Sequence, residues 1–169
     1  TPDVRELPGL VHDPGAPAEP GTAQHRMWFA NRINEAGAEY AIAFALDLRG
    51  PLDVDALRGA LLAAVERHEP LRTRYPESDG RPVLDIRPAG EVSFSLEAVT
   101  ADADEWLALA RESARLPFDL TTELPLRVWL HRLAPDHHKL TVVIHHIAAD
   151  GWSMAPLARD LTRAYADLT

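Results

Sequence analysis

The chain has 169 residues, 46% of them hydrophobic, a net charge of −9 from 17 basic and 26 acidic side chains, and no cysteine. That length suits one domain with one sizeable core. The acidic balance argues against a nucleic-acid partner, and the absent cysteines exclude disulfides and thiol chemistry. No apolar run is long enough to span a membrane and no charged-then-apolar leader opens the chain, so a cytoplasmic location is expected.

Residues 1–21 are rich in proline and poor in apolar periodicity, which reads as a linker or lead-in. Thr22 is a candidate cap for a first helix reaching about Ala36, with Gln24, Arg26 and Trp28 expected to serve its packing rather than chemistry. Tyr40 to Leu48 is a β-leaning run. Asp53 suits an N-cap, and Leu57, Leu61, Ala64 and His68 form one stripe of the helix it opens. Pro70 disfavours a helical Glu69 and ends that helix. Arg72–Tyr75 and Pro82–Ile86 flank Ser78-Asp79-Gly80, the pattern of a hairpin. Ser93 to Val99 is expected as a strand. Asp102 and Glu105 form a capping box for a helix to Leu116. Strands over Leu126–Leu133 and Lys139–His145 enclose a turn at Pro135-Asp136 that leaves His137 and His138 exposed. Interleaved strands and helices point to an α/β (α+β) sandwich.

Chemistry concentrates in His145-His146-Ile147-Ala148-Ala149-Asp150-Gly151-Trp152, where a strand passes through a turn into an apolar-striped helix, Met154 to Leu168. Successive strand side chains alternate between faces. His146 shares a face with Leu140, Val142 and Ile144, and His145 shares the other with Thr141 and Val143. One histidine can therefore work at a pocket while the other anchors the strand. Histidine is the side chain suited to moving a proton near neutral pH. A metal site is not expected, because the two histidines diverge, no cysteine exists and no helical histidine pair is present. Ser153 is a plausible N-cap for the last helix, with Pro156 tolerated in its first turn.

Two further segments, Ala23-Gln24-His25-Arg26-Met27-Trp28-Phe29 and Arg67-His68-Glu69-Pro70-Leu71-Arg72-Thr73-Arg74-Tyr75, stand ahead of the histidine run. In order and spacing, the three segments resemble the first three core motifs of nonribosomal peptide synthetase condensation domains, roughly AQxRxW, RHExLRTxF and HHxxxDGWS. The resemblance covers the chain from about Thr22 to its end.

It implies a single chloramphenicol-acetyltransferase-like lobe, a mixed sheet packed with helices. Full condensation domains have two such lobes, so residues 22–169 are expected to be the N-terminal subdomain with the C-terminal lobe absent. The implied reaction joins a carrier-bound aminoacyl or peptidyl thioester donor to an aminoacyl acceptor. Both substrates ride on phosphopantetheine arms of peptidyl carrier proteins, and no cofactor is held by the chain itself. The implied partners are donor and acceptor carriers, the second lobe and a neighbouring adenylation domain.

His146 is assigned to the acceptor amine, as base or as hydrogen-bond acceptor, and the Gly151 amide to the oxyanion. His145 and Asp150 are expected to be structural, with Asp150 salt-bridged to Arg67 or Arg72. Trp152 either lines the pocket or packs, and packing is preferred. Heterocyclisation relatives carry aspartates in place of both histidines, which sets that class aside. The alternatives are another acyltransferase bearing the histidine motif, using acyl-coenzyme A or an acyl carrier, and a non-catalytic carrier-protein recruitment module.

Overall fold

The computed structural model describes residues 19–33 and 38–169. Helix α1 spans Thr22–Ile33, and a short 3-10 turn at Ala38–Tyr40 leads into strand β1, Ala41–Arg49. The first helix is thus described as far as Ile33, and residues 34–37, like the lead-in over 1–18, lie outside the described residues. Thr22 is the first helical residue rather than the cap. The preceding Gly21 carbonyl accepts the His25 N–H at 3.0 Å.

Helix α2, Val54–Arg67, starts where expected, with the Asp53 carboxylate accepting the Asp55 and Ala56 N–H groups. It stops at His68, ahead of a 3-10 turn over Glu69–Arg72 that contains Pro70. The hairpin comes next, as two short pairs. Strand β2 (Thr73–Arg74) pairs with β5 (Asp85–Ile86), and β3 (Glu77–Ser78) pairs with β4 (Arg81–Pro82). Asp79 and Gly80 between them take φ of 50° and 76°, the left-handed pair that a tight hairpin turn requires.

The expected strand over Ser93–Val99 is corrected to a short β6, Ala98–Thr100. Val92 and Leu96 are buried while Ser93, Ser95 and Glu97 are exposed, so the two-residue alternation is real. Its backbone lies off the sheet, and the Leu96 carbonyl accepts a hydrogen bond from Arg58 instead of from a strand. Helix α3, Ala103–Arg115, carries the complete Asp102–Glu105 capping box.

Strands β7 (Leu126–Ala134) and β8 (His137–His145) form the long central hairpin. The turn is only Pro135-Asp136, so His137 and His138 belong to β8, pairing with Arg49 and Leu48. His138 is buried and His137 is half-buried against Asp47, contrary to the exposure expected of turn residues. Strand order is β1-β8-β7-β6, with β6 parallel to β7 and the other pairs antiparallel, a mixed sheet.

Both faces of the sheet are covered. Leu126, Leu130, Leu140, Val142 and Ile144 meet α2 and the apolar stripe of α4, Met154–Leu168. On the opposite face Val143 packs with Trp28, Tyr75, Phe118, Leu120 and Ile147, and Trp106 of α3 donates to Thr141 Oγ1 at 3.2 Å. Leu61, Leu130 and Leu140 are core positions at which truncation to alanine costs about 2–5 kcal/mol. Between β1, β8, α2 and α4 remains an apolar cavity of about 380 Å³, lined by Ile42, Phe44, Leu61, Val142 and Leu157 among others. No helix among the described residues is long and apolar enough to cross a membrane.

Candidate active site

Strand β8 is paired on both sides, which makes its C-terminal end a rigid platform for the histidine turn. His145, opposite Ala41, is its last residue and is fully buried. The Phe118 ring meets its imidazole edge-on at 5.6 Å between centroids, and Tyr40 lies tilted at 6.1 Å. Nδ1 accepts the Ile147 N–H at 3.0 Å, while Nε2 is buried with no partner among the described residues. Burial, with His146 adding to it, lowers the His145 pKa to about 4. The ring is thus neutral and enclosed, and it braces the turn through its bond to the Ile147 N–H.

The chain leaves the strand at His146 and bends through Ile147 and Ala148. The His146 N–H donates to the Tyr40 carbonyl at 2.7 Å, and the Ala148 N–H to the His145 carbonyl at 2.9 Å. His146 is half-buried, and its Nδ1 is enclosed without a partner among the described residues. The two histidines thus occupy different environments, and the half-buried one is the ring with a route to solvent.

Asp150 is exposed, and the expected salt bridge to Arg67 or Arg72 is corrected. Its carboxylate accepts the Ser153 N–H at 3.0 Å and the Ser153 hydroxyl at 2.7 Å, and the Asp150 N–H returns a bond to Ser153 Oγ at 3.1 Å. These bonds hold the Asp150 carboxyl below its ordinary range. A solvated carboxylate needs no arginine, and both arginines are engaged elsewhere. Arg67 Nε lies 2.9 Å from Asp160 of α4, which also pairs with His68 at 2.9 Å, and Arg72 donates to the Arg87 carbonyl at 2.7 Å and to Glu69. Burial pushes the Asp160 carboxyl up, but His68, Arg67 and Arg159 together pull it below the usual range.

Ser153 precedes α4 yet makes no side-chain cap, because its hydroxyl is spent on Asp150. Trp152 is 90% exposed, so the expectation that it packs is also corrected. Gly151 has no left-handed φ, and a Cβ built on it would meet nothing within 4 Å. Neither turn geometry nor a described neighbour demands glycine there, which leaves open space beside the loop.

The first two motifs converge on this turn. Trp28 Nε1 donates to the Tyr75 carbonyl at 2.9 Å, and Gln24 Nε2 donates to the Tyr75 hydroxyl at 3.0 Å and to the Ile147 carbonyl at 3.5 Å. Burial raises the Tyr75 pKa to about 12, against the opposing bond from Gln24, so the phenol stays protonated. Sequence reading missed Tyr40 and Phe118, the rings against His145. Phe118 follows Pro117 just past α3, on a loop that Arg127 holds through the Leu116 and Pro117 carbonyls, with its guanidinium 4.0 Å over the Phe118 ring. No local pattern signals that contact, because it joins segments far apart in the sequence.

Taken together, a mixed sheet covered on both faces, with a histidine-bearing turn at the end of its central strand, is a chloramphenicol-acetyltransferase-like fold. The condensation-domain profile matches residues 20–169, and the chain belongs to the condensation-domain family. The isonitrile lipopeptide synthase of Mycobacterium tuberculosis is 48% identical over 147 residues, which is 85% of this chain and 6% of that protein. Cyclosporin synthetase of Tolypocladium inflatum is 40% identical over 164 residues, 95% of this chain and 1% of that protein. Among solved structures, the X-domain from teicoplanin biosynthesis superposes with a TM-score of 0.84 at 36% identity, covering 92% of this chain and 33% of that one. The first condensation domain of the calcium-dependent antibiotic synthetase gives 0.75 at 25% identity, covering 89% and 39%. The chain therefore spans a small fraction of these synthetases and between a third and two fifths of the solved chains.

Proposed function

We propose that residues 22–169 form the N-terminal lobe of a peptide-bond-forming condensation domain, with 1–21 as its lead-in. The observation that carries this reading is the convergence of Gln24, Tyr75 and the His145–Ile147 turn, three segments far apart in sequence that are hydrogen-bonded together at Ile147, the residue after the half-buried His146. The donor is an aminoacyl or peptidyl thioester and the acceptor an aminoacyl thioester, each on the phosphopantetheine arm of a peptidyl carrier protein. An adenylation domain and the second lobe complete the parent assembly.

The acceptor's nitrogen attacks the donor carbonyl, a C–N bond forms, and the tetrahedral intermediate collapses by breaking the C–S bond to the donor arm. The amine sheds a proton in the process, and the thiolate leaving the donor arm gains one. His146 serves the amine, taking its proton or accepting its hydrogen bond so that the lone pair points at the carbonyl. The Gly151 amide, beside open space, is the donor proposed for the oxyanion. His145, Asp150 and Ser153 shape the turn, and the exposed Trp152 is left to meet substrate or the second lobe.

A second reading is a docking module, favoured by one observation. The teicoplanin X-domain, 35% identical in that structure, has been solved in complex with OxyB. The test uses the full-length parent with loaded donor and acceptor carriers. His146→Ala is expected to cut product formation by about 10²- to 10⁴-fold while the protein stays folded. Undiminished product formation would exclude a role for His146, whereas an unmutated parent that binds loaded carriers but forms no product would shift the balance to docking.

A further inference from the structure

Gln24 belongs to the first helix, yet its amide does more than pack there. Oε1 accepts the Gly21 N–H at 2.9 Å, which fixes the orientation of the amide and leaves Nε2 as the donor. Nε2 then reaches the Tyr75 hydroxyl at 3.0 Å and the Ile147 carbonyl at 3.5 Å. Ile147 is held from its other side too, since its N–H donates to His145 Nδ1 at 3.0 Å. The His146 N–H is tied to the Tyr40 carbonyl at 2.7 Å, and the Ala148 N–H to the His145 carbonyl at 2.9 Å. The three successive peptide groups from His145 to Ala148 are therefore each fixed by a hydrogen bond.

The His146 ring has no comparable restraint. Its Nδ1 is enclosed without a partner among the described residues, and the Asp150 carboxylate is engaged with Ser153. Among the described residues no carboxylate is hydrogen-bonded to this imidazole, the nearby Asp150 acting on it through charge alone, so its direction is set chiefly by the backbone from which it hangs. Of the ties on that backbone, the one on the Ile147 carbonyl comes from a side chain 123 residues away in sequence, and that side chain is also anchored to Tyr75.

We propose that Gln24 is a positioning residue for His146, acting through the Ile147 carbonyl. This rests on the role proposed above for His146. Gln24 joins the first helix, the Tyr75 segment and the histidine turn into one rigid unit, so a shift of the helix is transmitted to the ring.

Gln24→Glu separates this role from capping. The carboxylate keeps the acceptor for the Gly21 N–H but cannot donate to Ile147, and it sets two oxygens against each other there. In the full-length parent with loaded carriers, kcat is expected to fall about 10- to 100-fold, with the KM for each carrier holding within about twofold. In the 169-residue chain, the ring nitrogen resonances of His146 and the amide resonances of Ile147 and Ala148 should move, while those of Leu140 and Thr141 stay put. Gln24→Met, which keeps the length and removes the amide, serves if the glutamate does not fold.

An unchanged kcat beside an inactive His146→Ala overturns the positioning role and leaves the site assignment standing. A loss confined to the folded fraction, with kcat per folded molecule intact, overturns it as well. An active His146→Ala instead removes the site assignment on which the inference rests.

Discussion

His145 Nδ1 accepts the Ile147 amide hydrogen at 3.0 Å, and this bond fixes the proton of the neutral ring on Nε2. The ring is fully buried and lies against Phe118 and Tyr40, so it has neither water nor a counter-charge to support an imidazolium. Division of labour between the paired histidines comes from this contrast. One is held neutral by burial to brace a turn, and the next is carried out of the strand by that turn.

Stability should consequently fall on acidification. The His145 pKa is lowered from 6.5 to about 4 in the folded chain, so below pH 6.5 the unfolded chain takes up a proton that the native state refuses. The stabilisation is complete above 6.5 and is lost as pH drops towards 4, on the order of 3 kcal/mol in all. Burial lowers His131 and His138 as well, which adds in the same direction. Urea midpoints measured between pH 7 and pH 4.5 should decline steadily, and nitrogen NMR should find His145 neutral at pH 5. A His145 ring that titrates near 6.5 contradicts this account.

The Asp150 turn supplies a second test. Because the carboxylate is exposed and bonded to Ser153, Asp150→Ala should loosen the loop and the start of α4 rather than unfold the lobe. A double-mutant cycle should show coupling between Asp150→Ala and Ser153→Ala. Cycles with Arg67→Ala and Arg72→Ala should instead be additive, since those side chains are bonded to other partners. Coupling to either arginine that exceeds the coupling to Ser153 restores the salt bridge read from the sequence.

The packing of α4 on α2 yields a third. A Cβ on Gly59 would stand 2.8 Å from Leu168 Cδ1, closer than any side chain tolerates without movement. Leu168, however, is the last residue of α4 and is 54% exposed, so its tip can turn away. Relief of glycine's helical penalty then dominates, and Gly59→Ala is expected to raise stability by about 0.5–1 kcal/mol. Thermal or urea unfolding decides the sign, and a loss of stability means that Leu168 is held in place.

Local signals in the sequence located most of the elements. Asp53 and the Asp102–Glu105 box marked helix starts, Asp79-Gly80 marked the hairpin, and the alternation from Leu140 to His145 marked the central strand. Errors came where an outcome depended on a distant partner. Val92 to Leu96 alternates like a strand but has no neighbour to pair with, and His138 is buried because Leu48 and Arg132 flank it in the sheet. The Asp150 assignment failed because burial was inferred from the tightness of a turn, whereas the turn projects into solvent. Motifs indicated which residues belong together, but that Gln24 reaches Ile147 is a fact of the folded chain.

The last prediction concerns the 169 residues by themselves. Trp152 is 90% exposed, an added Cβ at Gly151 meets nothing within 4 Å, and His146 is only half-buried. A site built this way supplies one wall. Two thioesters must be held with nitrogen and carbonyl in contact, and fixing that geometry is worth several orders of magnitude in rate. Without an opposing wall the reacting atoms meet only by chance and water has access to the thioester. The isolated chain is therefore expected to fold, to bind loaded carriers weakly and to form no product above the uncatalysed rate. Mass spectrometry of a mixture with loaded donor and acceptor carriers provides the measurement. Multiple turnovers would show that one lobe encloses a complete site and would favour a single-lobe acyltransferase over half of a condensation domain.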